Sequence, residues 1–364
     1  MSLNSIWKSA FGIAALSVAV GAHAGSNGVK VTVEPEKAAL GASDDVVVKV
    51  TLTNTSTSPQ YVLKARTPFD GLSAPLFDIT RDGEKVAYTG ALIKRGKPTQ
   101  ADYYVLKPGA SHTVKVELSA LYDLSVSGDY AIQYRTASPD LFLPANNGRA
   151  TAAAAGDVGE LQSDAARVYI DGRLPRGAES PIMQALKQGG GMVTTQGLSY
   201  ASCTASQQTT IASAISAAKT MSNGSVTYMA QTTMGPRYTK WFGAVTSSRQ
   251  STVKSHYTNI KSAFDTQNVV VDCSCKQSYY AYVYPTQPYR IYVCKAFWTA
   301  PMTGTDSKGG TLVHEMSHFN VVAGTDDHVY GQSGAASLAI SDPNLAIDNA
   351  DSHEYFAENT PALN

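Results

Sequence analysis

Cysteine is absent from the first 202 of the 364 residues, no apolar run is long enough to cross a bilayer, and neither sign of charge is in excess. Lys+Arg and Asp+Glu both number 29, giving no net charge and a pI near 7. A protein that wraps nucleic acid needs a basic surplus to neutralise phosphates, so that class is excluded. A membrane span needs about 20 apolar residues, and the longest stretch, Phe11–Val20, is too short. Charged residues are scarce at 16% against 43% hydrophobic, which excludes a disordered chain and allows a sizeable core. The length fits two domains.

What is present begins with an export signal. Lys8 supplies the positive start, Phe11–Val20 the apolar stretch, and Ala22-His23-Ala24 a small-residue cleavage site before Gly25. A signal peptide over 1–24 makes the protein secreted. Cys203, Cys273, Cys275 and Cys294 suit an oxidising compartment, and an even count points to two disulfides. Three pairings are open, with Cys273–Cys275 disfavoured because both side chains would point the same way along one strand. A structural zinc site lacks its two C-x-x-C knuckles.

The cysteine distribution divides the chain. Residues 25–174 carry short alternating runs, at Val29–Val33, Val46–Val50, Val114–Leu118, Tyr130–Tyr134 and Arg167–Ile170, broken by turn residues. Period-2 alternation of this kind predicts an antiparallel, Ig-like β-sandwich. Its one histidine, His112, reads as a surface residue. Residues 175–198 contain Pro175, Pro181 and Gly189-Gly190-Gly191, the composition of a nickable linker, with a mature N-terminus between about 188 and 199. A sandwich, a linker and a cysteine-bearing domain together suggest a propeptide ahead of an enzyme at 199–364; a permanent accessory domain is the alternative. The last region mixes helix periodicity (Thr209–Met221, Ser247–Phe264) with strand-like runs (Val269–Cys273, Tyr280–Tyr284, Arg290–Phe297), an α+β pattern.

The chemistry concentrates near the C-terminus. From Asp306 to Asn364 there are nine acids and a single base, Lys308. Within that segment His314-Glu315-Met316-Ser317-His318 places two imidazoles one helical turn apart, able to hold one metal ion, with Glu315 close to a bound water. A catalytic zinc needs a third protein ligand. A metzincin would have Gly and His where Val321 and Gly324 stand, and a thermolysin-like enzyme would have Glu near Ser337–Ala339. Neither pattern fits. Instead the chain reads Gly324-Thr325-Asp326-Asp327-His328-Val329-Tyr330-Gly331.

H-E-x-x-H followed by G-T-x-D-x-x-Y-G resembles the aspzincins, the deuterolysin and peptidyl-Lys metalloendopeptidase family. The resemblance covers about the last 165 residues and includes Asp306-Ser307-Lys308 and the four cysteines. It implies an α+β zincin-type protease domain, one zinc held by His314, His318 and Asp327, Glu315 as general base and acid, and Tyr330 as the phenol facing the developing oxyanion. It implies the pairs Cys203–Cys273 and Cys275–Cys294. Asp326 and His328 flank the ligand and are not expected to bind the ion. Cobalt or manganese could replace zinc in vitro.

Asp351 and Glu354 are three apart and share a face if helical. A solvated acidic face is the plain reading of such a pair. In Lys-specific aspzincins an Asp and a Glu at these offsets line the pocket for the residue after the cut, and the acidic excess independently favours a cationic substrate. A compact ammonium suits two carboxylates better than an Arg fork. The expected activity is therefore a secreted zinc metalloendopeptidase acting on proteins and peptides on the amino side of lysine. A deuterolysin-like enzyme of broader specificity and a secreted binding protein with a dead protease domain are the alternatives. A lysine of the N-terminal region, Lys187 among several, is expected to occupy the pocket, making the propeptide an intramolecular inhibitor of a latent precursor.

Overall fold

The computed structural model describes residues 26–41, 44–143, 158–171, 193–195 and 197–364. The expected signal peptide, Lys187 and most of the expected linker lie outside these residues. Two hydrophobic cores form, one in each half of the chain.

The N-terminal core is closed by sheets. Strands β1 (Val29–Pro35), β2 (Ala39–Leu40), β3 (Val47–Asn54), β4 (Gln60–Leu63), β5 (Phe77–Arg81), β6 (Glu84–Lys85), β7 (Leu92–Lys94), β8 (Tyr103–Leu106), β9 (Ser111–Glu117), β10 (Gly128–Ser138), β11 (Gly159–Gln162) and β12 (Ala166–Ile170) follow in order. One sheet runs β1-β3-β9 and the other β2-β12-β10-β5-β6, with β11 also on β10 and β4-β8 as a separate ribbon. Alternation does what it should: Val48, Val50 and Leu52 of β3 turn inward to meet Ile79, Ile132 and Tyr134 from the facing sheet. His112 is exposed and lies against the Phe69 ring.

One strand of this half does not join these sheets. β7 is the outer strand of the C-terminal sheet, whose order is β13 (Val193–Thr195), β14 (Leu198–Ala201), β15 (Val269–Asp272), β17 (Arg290–Val293), β16 (Ala281–Val283), β7. β14, β15 and β17 are parallel, while β16 is antiparallel to both β17 and β7. The helices are α1 (Ala205–Met229), α2 (Pro236–Phe242), α3 (Ser247–Thr266), α4 (Lys295–Thr299), α5 (Lys308–His318), α6 (Gly331–Ser341), α7 (Pro343–Ala346) and α8 (Ala350–Glu358). α1 runs further than its periodicity predicts, its start fixed by a Thr204/Gln207 capping box. The run Arg290–Phe297 is not one strand. It ends at Val293, Cys294 caps α4, and Phe297 is buried from the helix instead.

The disulfides are Cys203–Cys273 and Cys275–Cys294. The first ties the end of β14 to the end of β15, and the second ties that same turn to the end of β17. Among the described residues no helix is long and apolar enough to cross a membrane.

α5 is buried along its whole length. Two glycines in its first turn cost helix propensity, about 1 kcal/mol each. They are explained by contact: a Cβ on Gly309 would sit 2.9 Å from Ala217 of α1, and one on Gly310 2.1 Å from Glu358 of α8. Ser307 caps the helix through the Gly310 amide.

Candidate metal centre and active site

His314 and His318 leave α5 on one face, and the chain beyond the helix brings the third group back. After Phe319 the backbone turns through Gly324 at φ +63°, a left-handed conformation suited to glycine. The Thr325 amide then donates to the Ser317 carbonyl (3.2 Å), and the two hydroxyls meet at 2.6 Å. Asp327 arrives with Oδ1 3.1 Å from His314 Nε2 and 3.5 Å from His318 Nε2, and the two Nε2 atoms are 3.1 Å apart.

The His318 tautomer follows from its outer partner. His318 Nδ1 lies 2.6 Å from the Thr325 carbonyl, which can only accept, so Nδ1 carries the proton. His314 Nδ1 stands 2.9 Å from Asp351 Oδ1 and 3.4 Å from Glu354 Oε2, an ion-pair contact with both acids. His314 Nε2, His318 Nε2 and the Asp327 carboxylate converge on one spot, and each ring has an outer neighbour of the kind that orients metal-ligating imidazoles.

The donor set fits a metal ion. His314, His318 and Asp327 are buried, their ligand atoms lie within 4.8 Å of one another, and both Asp327 oxygens lack a hydrogen-bond partner. Electrostatics agrees: burial lowers the His314 pKa, yet Asp327, Asp351 and Glu354 outweigh it and hold the ring well above its ordinary value. A site that raises a buried histidine in this way is built for positive charge. Two imidazoles and one carboxylate suit zinc.

Glu315 is fully buried, and neither carboxylate oxygen has a partner. Burial pushes its pKa up to about 7 against the opposing pull of His314 and His318. A carboxyl poised near neutrality suits proton transfer. Tyr330, also buried, donates from its hydroxyl to the Ile93 carbonyl at 2.9 Å. Asp326 does not join the ligands. It stands with His328 and Asp348, and His328 Nε2 is 2.9 Å from Asp348 Oδ2.

Asp351 and Glu354 are not a solvated face. Both are fully buried on α8. Between them lies the ammonium of Lys94, 2.5 Å from Glu354 Oε2 and 3.4 Å from Asp351 Oδ1, with Asp306 at 3.7 Å. Burial alone would discharge this lysine, but Asp351, Glu354 and Asp306 hold its pKa well above the usual value. The Tyr280 ring lies 5.1 Å from the ammonium. Asp351 is braced by the Gly331 amide (2.7 Å) and the Tyr355 hydroxyl (3.3 Å). Lys94, Tyr280, Tyr355 and the pocket role of Asp306 escaped the reading of the sequence. The family resemblance of Asp351 and Glu354, the acidic excess and the expectation of a lysine from the N-terminal region pointed to this place without naming them.

A second cation from the N-terminal half reaches the centre: Arg66, buried, donates to the backbone carbonyls of Asp327 and His328. Beside it a cavity of about 520 Å³ opens between the halves, lined by Tyr88 and Tyr122 on one side and Asn320 and Asp326 on the other.

Two histidines and a carboxylate around one point, a buried glutamate and a hydroxyl donor beside it, all against a mixed sheet, define a metal-dependent hydrolase of the H-E-x-x-H kind. Comparison with known proteins narrows the class. Residues 227–358 match the family model described as lysine-specific metallo-endopeptidase, the aspzincins. An extracellular protease of Aeromonas hydrophila is 45% identical over 326 residues, 89% of this chain and 91% of that protein. A peptidyl-Lys metalloendopeptidase of Pleurotus ostreatus is 51% identical over 166 residues, 45% of this chain but 98% of its own length. A solved zinc peptidase from Grifola frondosa is 50% identical, covering 44% of this chain and 99% of that one, with a TM-score of 0.43. The chain belongs to the aspzincin family of metallo-endopeptidases.

Proposed function

We propose that this chain is a secreted zinc endopeptidase that cuts on the amino side of lysine and is made as a latent precursor. In this reading residues 1–24 are the signal peptide, 25–174 an Ig-like propeptide domain, 175–198 the activation linker and 199–364 the protease. The observation that carries the specificity is the buried Asp351/Glu354 pair holding an ammonium beside the candidate metal ligands. Their carboxylates suit a point charge with three donors, which is lysine.

His314, His318 and Asp327 would hold the zinc. The ion, when bound, supplies Lewis acidity and brings water near neutrality in pKa. Glu315 accepts a proton from the attacking water and delivers it to the departing amine, which is the α-amine of the lysine residue. Tyr330 donates to the carbonyl oxygen before that lysine as negative charge builds on it. Asp351 and Glu354 orient the lysine side chain so that the bond before it meets these groups.

The test is a digest of a denatured protein by residues 199–364, read by mass spectrometry, with Glu315→Gln as control. A stand-alone region is reasonable because the Pleurotus relative matches over nearly its whole length. Cuts before lysine that vanish in the variant are expected. Cuts without lysine enrichment would leave a broader endopeptidase, and no cutting by either would favour a binding protein.

A further inference from the structure

β7 is a strand of the N-terminal half bound to the edge of the C-terminal sheet. It runs antiparallel to β16, with Leu92 opposite Val283, Ile93 opposite Tyr282 and Lys94 opposite Ala281. An extended segment added to a sheet edge is how many proteins hold peptides: the backbone supplies affinity and alternate side chains enter pockets. Here two contacts bracket one peptide bond. On its acyl side the Ile93 carbonyl accepts from Tyr330, and on its amine side the Lys94 side chain enters the acid pocket. The next residue is held as well, with the Arg95 guanidinium 5.6 Å from the Tyr279 ring.

We propose that residues 92–94 are a built-in occupant bound in substrate register. Lys94 is the lysine that blocks the pocket, and Ile93–Lys94 lies where the site would hydrolyse a bond. The proposal rests on the lysine-directed reading above and deepens it by naming the lysine and the register. Lys94 is fully buried against two fully buried acids, so no free substrate lysine can enter while it stays. An intramolecular ligand acts at roughly millimolar effective concentration, and against a site of about 10 μM affinity it suppresses turnover about a hundredfold.

The experiment uses the zinc-loaded, full-length precursor with its linker intact and a fluorogenic peptide containing one lysine. Wild type is expected to run about a hundredfold slower than residues 199–364. Lys94→Met keeps the aliphatic stem, removes the charge and should recover at least tenfold, while Lys107→Ala at an exposed lysine should recover nothing. A binding readout removes turnover from the question. In a Glu315→Gln background the same peptide, followed by anisotropy, should bind the Lys94→Met precursor and not the parent. A Lys94→Met precursor that melts like wild type yet neither binds nor cuts, while residues 199–364 cut before lysine, overturns the proposal. If residues 199–364 cut without lysine preference, the pocket reading itself falls instead. Should Lys94→Met fail to fold, hydrogen exchange on the unmodified protein decides. The Tyr280 amide, which donates to the Lys94 carbonyl, should be protected in the precursor and exposed in residues 199–364, and equal exchange in both overturns the proposal.

Discussion

The Nδ1 proton of His318 is committed to the Thr325 carbonyl and the His314 ring lies against the Asp351 carboxylate, which limits what the remaining atoms can do. The two Nε2 atoms and the Asp327 carboxylate converge where a cation would sit, and Glu315, which touches neither ring in a hydrogen bond, is left free to carry a proton. Glu315→Gln is expected to lower kcat by about 10²–10⁴-fold with zinc content unchanged, since general acid–base transfer contributes that much. Metal analysis beside kinetics checks both halves. Tyr330→Phe removes one donor from the developing oxyanion and should cost about 10²–10³ in kcat with little change in KM. A residue with no part in the chemistry gives a stability test. His353 is fully buried, donates from Nδ1 to the Asn349 carbonyl and accepts at Nε2 from His256. Burial, reinforced by His256, pushes its pKa down to about 3. A folded value below the unfolded 6.5 means that the unfolded chain takes up the proton first. The stability is complete above pH 6.5 and is lost as pH falls towards 3. Between pH 7 and 5 this one ring should cost about 2 kcal/mol, and urea melts of residues 199–364 should show that loss shrinking in His353→Gln.

At the scale of elements, α5 and α8 divide the labour, and Asp351 serves both. It faces His314 at 2.9 Å and the ammonium at 3.4 Å, whereas Glu354 is 3.4 Å from His314 and 2.5 Å from the ammonium. Glu354→Gln is therefore expected to reduce lysine preference by at least about tenfold and leave zinc affinity alone. Asp351→Asn should reduce both, with zinc weakened about 10–100-fold as for other partners of metal-bound histidines. Titration with a zinc chelator next to cleavage-site mapping separates the two. Spacing along a helix is local, and so the His314/His318 pair with Glu315 between them could be picked out before any fold was known. The spacing of Asp351 and Glu354 alone suggested a solvated face, and only the family resemblance and the acidic excess suggested a pocket. Asp327 was readable through its motif, because Gly324 marks the reversal that returns it. β7 was not. Leu92-Ile93-Lys94 is a short run without alternation, and its partner β16 lies nearly 190 residues away, a pairing that no local periodicity encodes. Arg290–Phe297 misled for a related reason: the apolar residues continue past Val293, but the second disulfide halts the strand at Cys294 and Phe297 reaches the core from a helix.

On the scale of the whole molecule, the acid-rich end of the chain is met by two buried cations from the opposite half, Lys94 in the pocket and Arg66 on the ligand loop. The C-terminal half does not depend on them for a core. Its own apolar cluster joins α1, α3, α5 and α8 to the sheet, and both disulfides lie within it. This sets the expected response to metal removal. In a small zinc module the ion is the core, and chelation unfolds it. Here the ion would sit at the edge of a large core, so a chelator should abolish cleavage by residues 199–364 while leaving the far-UV spectrum unchanged. Stability should still fall, because a ligand held at a hundred times its Kd contributes about 2.7 kcal/mol. For a domain of this size that is a drop in Tm of about 5–10 °C. Readdition of zinc should restore both activity and Tm, and differential scanning calorimetry with and without chelator measures it. Complete unfolding on chelation would mean that the core and disulfides are not sufficient, and that the metal centre is part of what holds the protease half together.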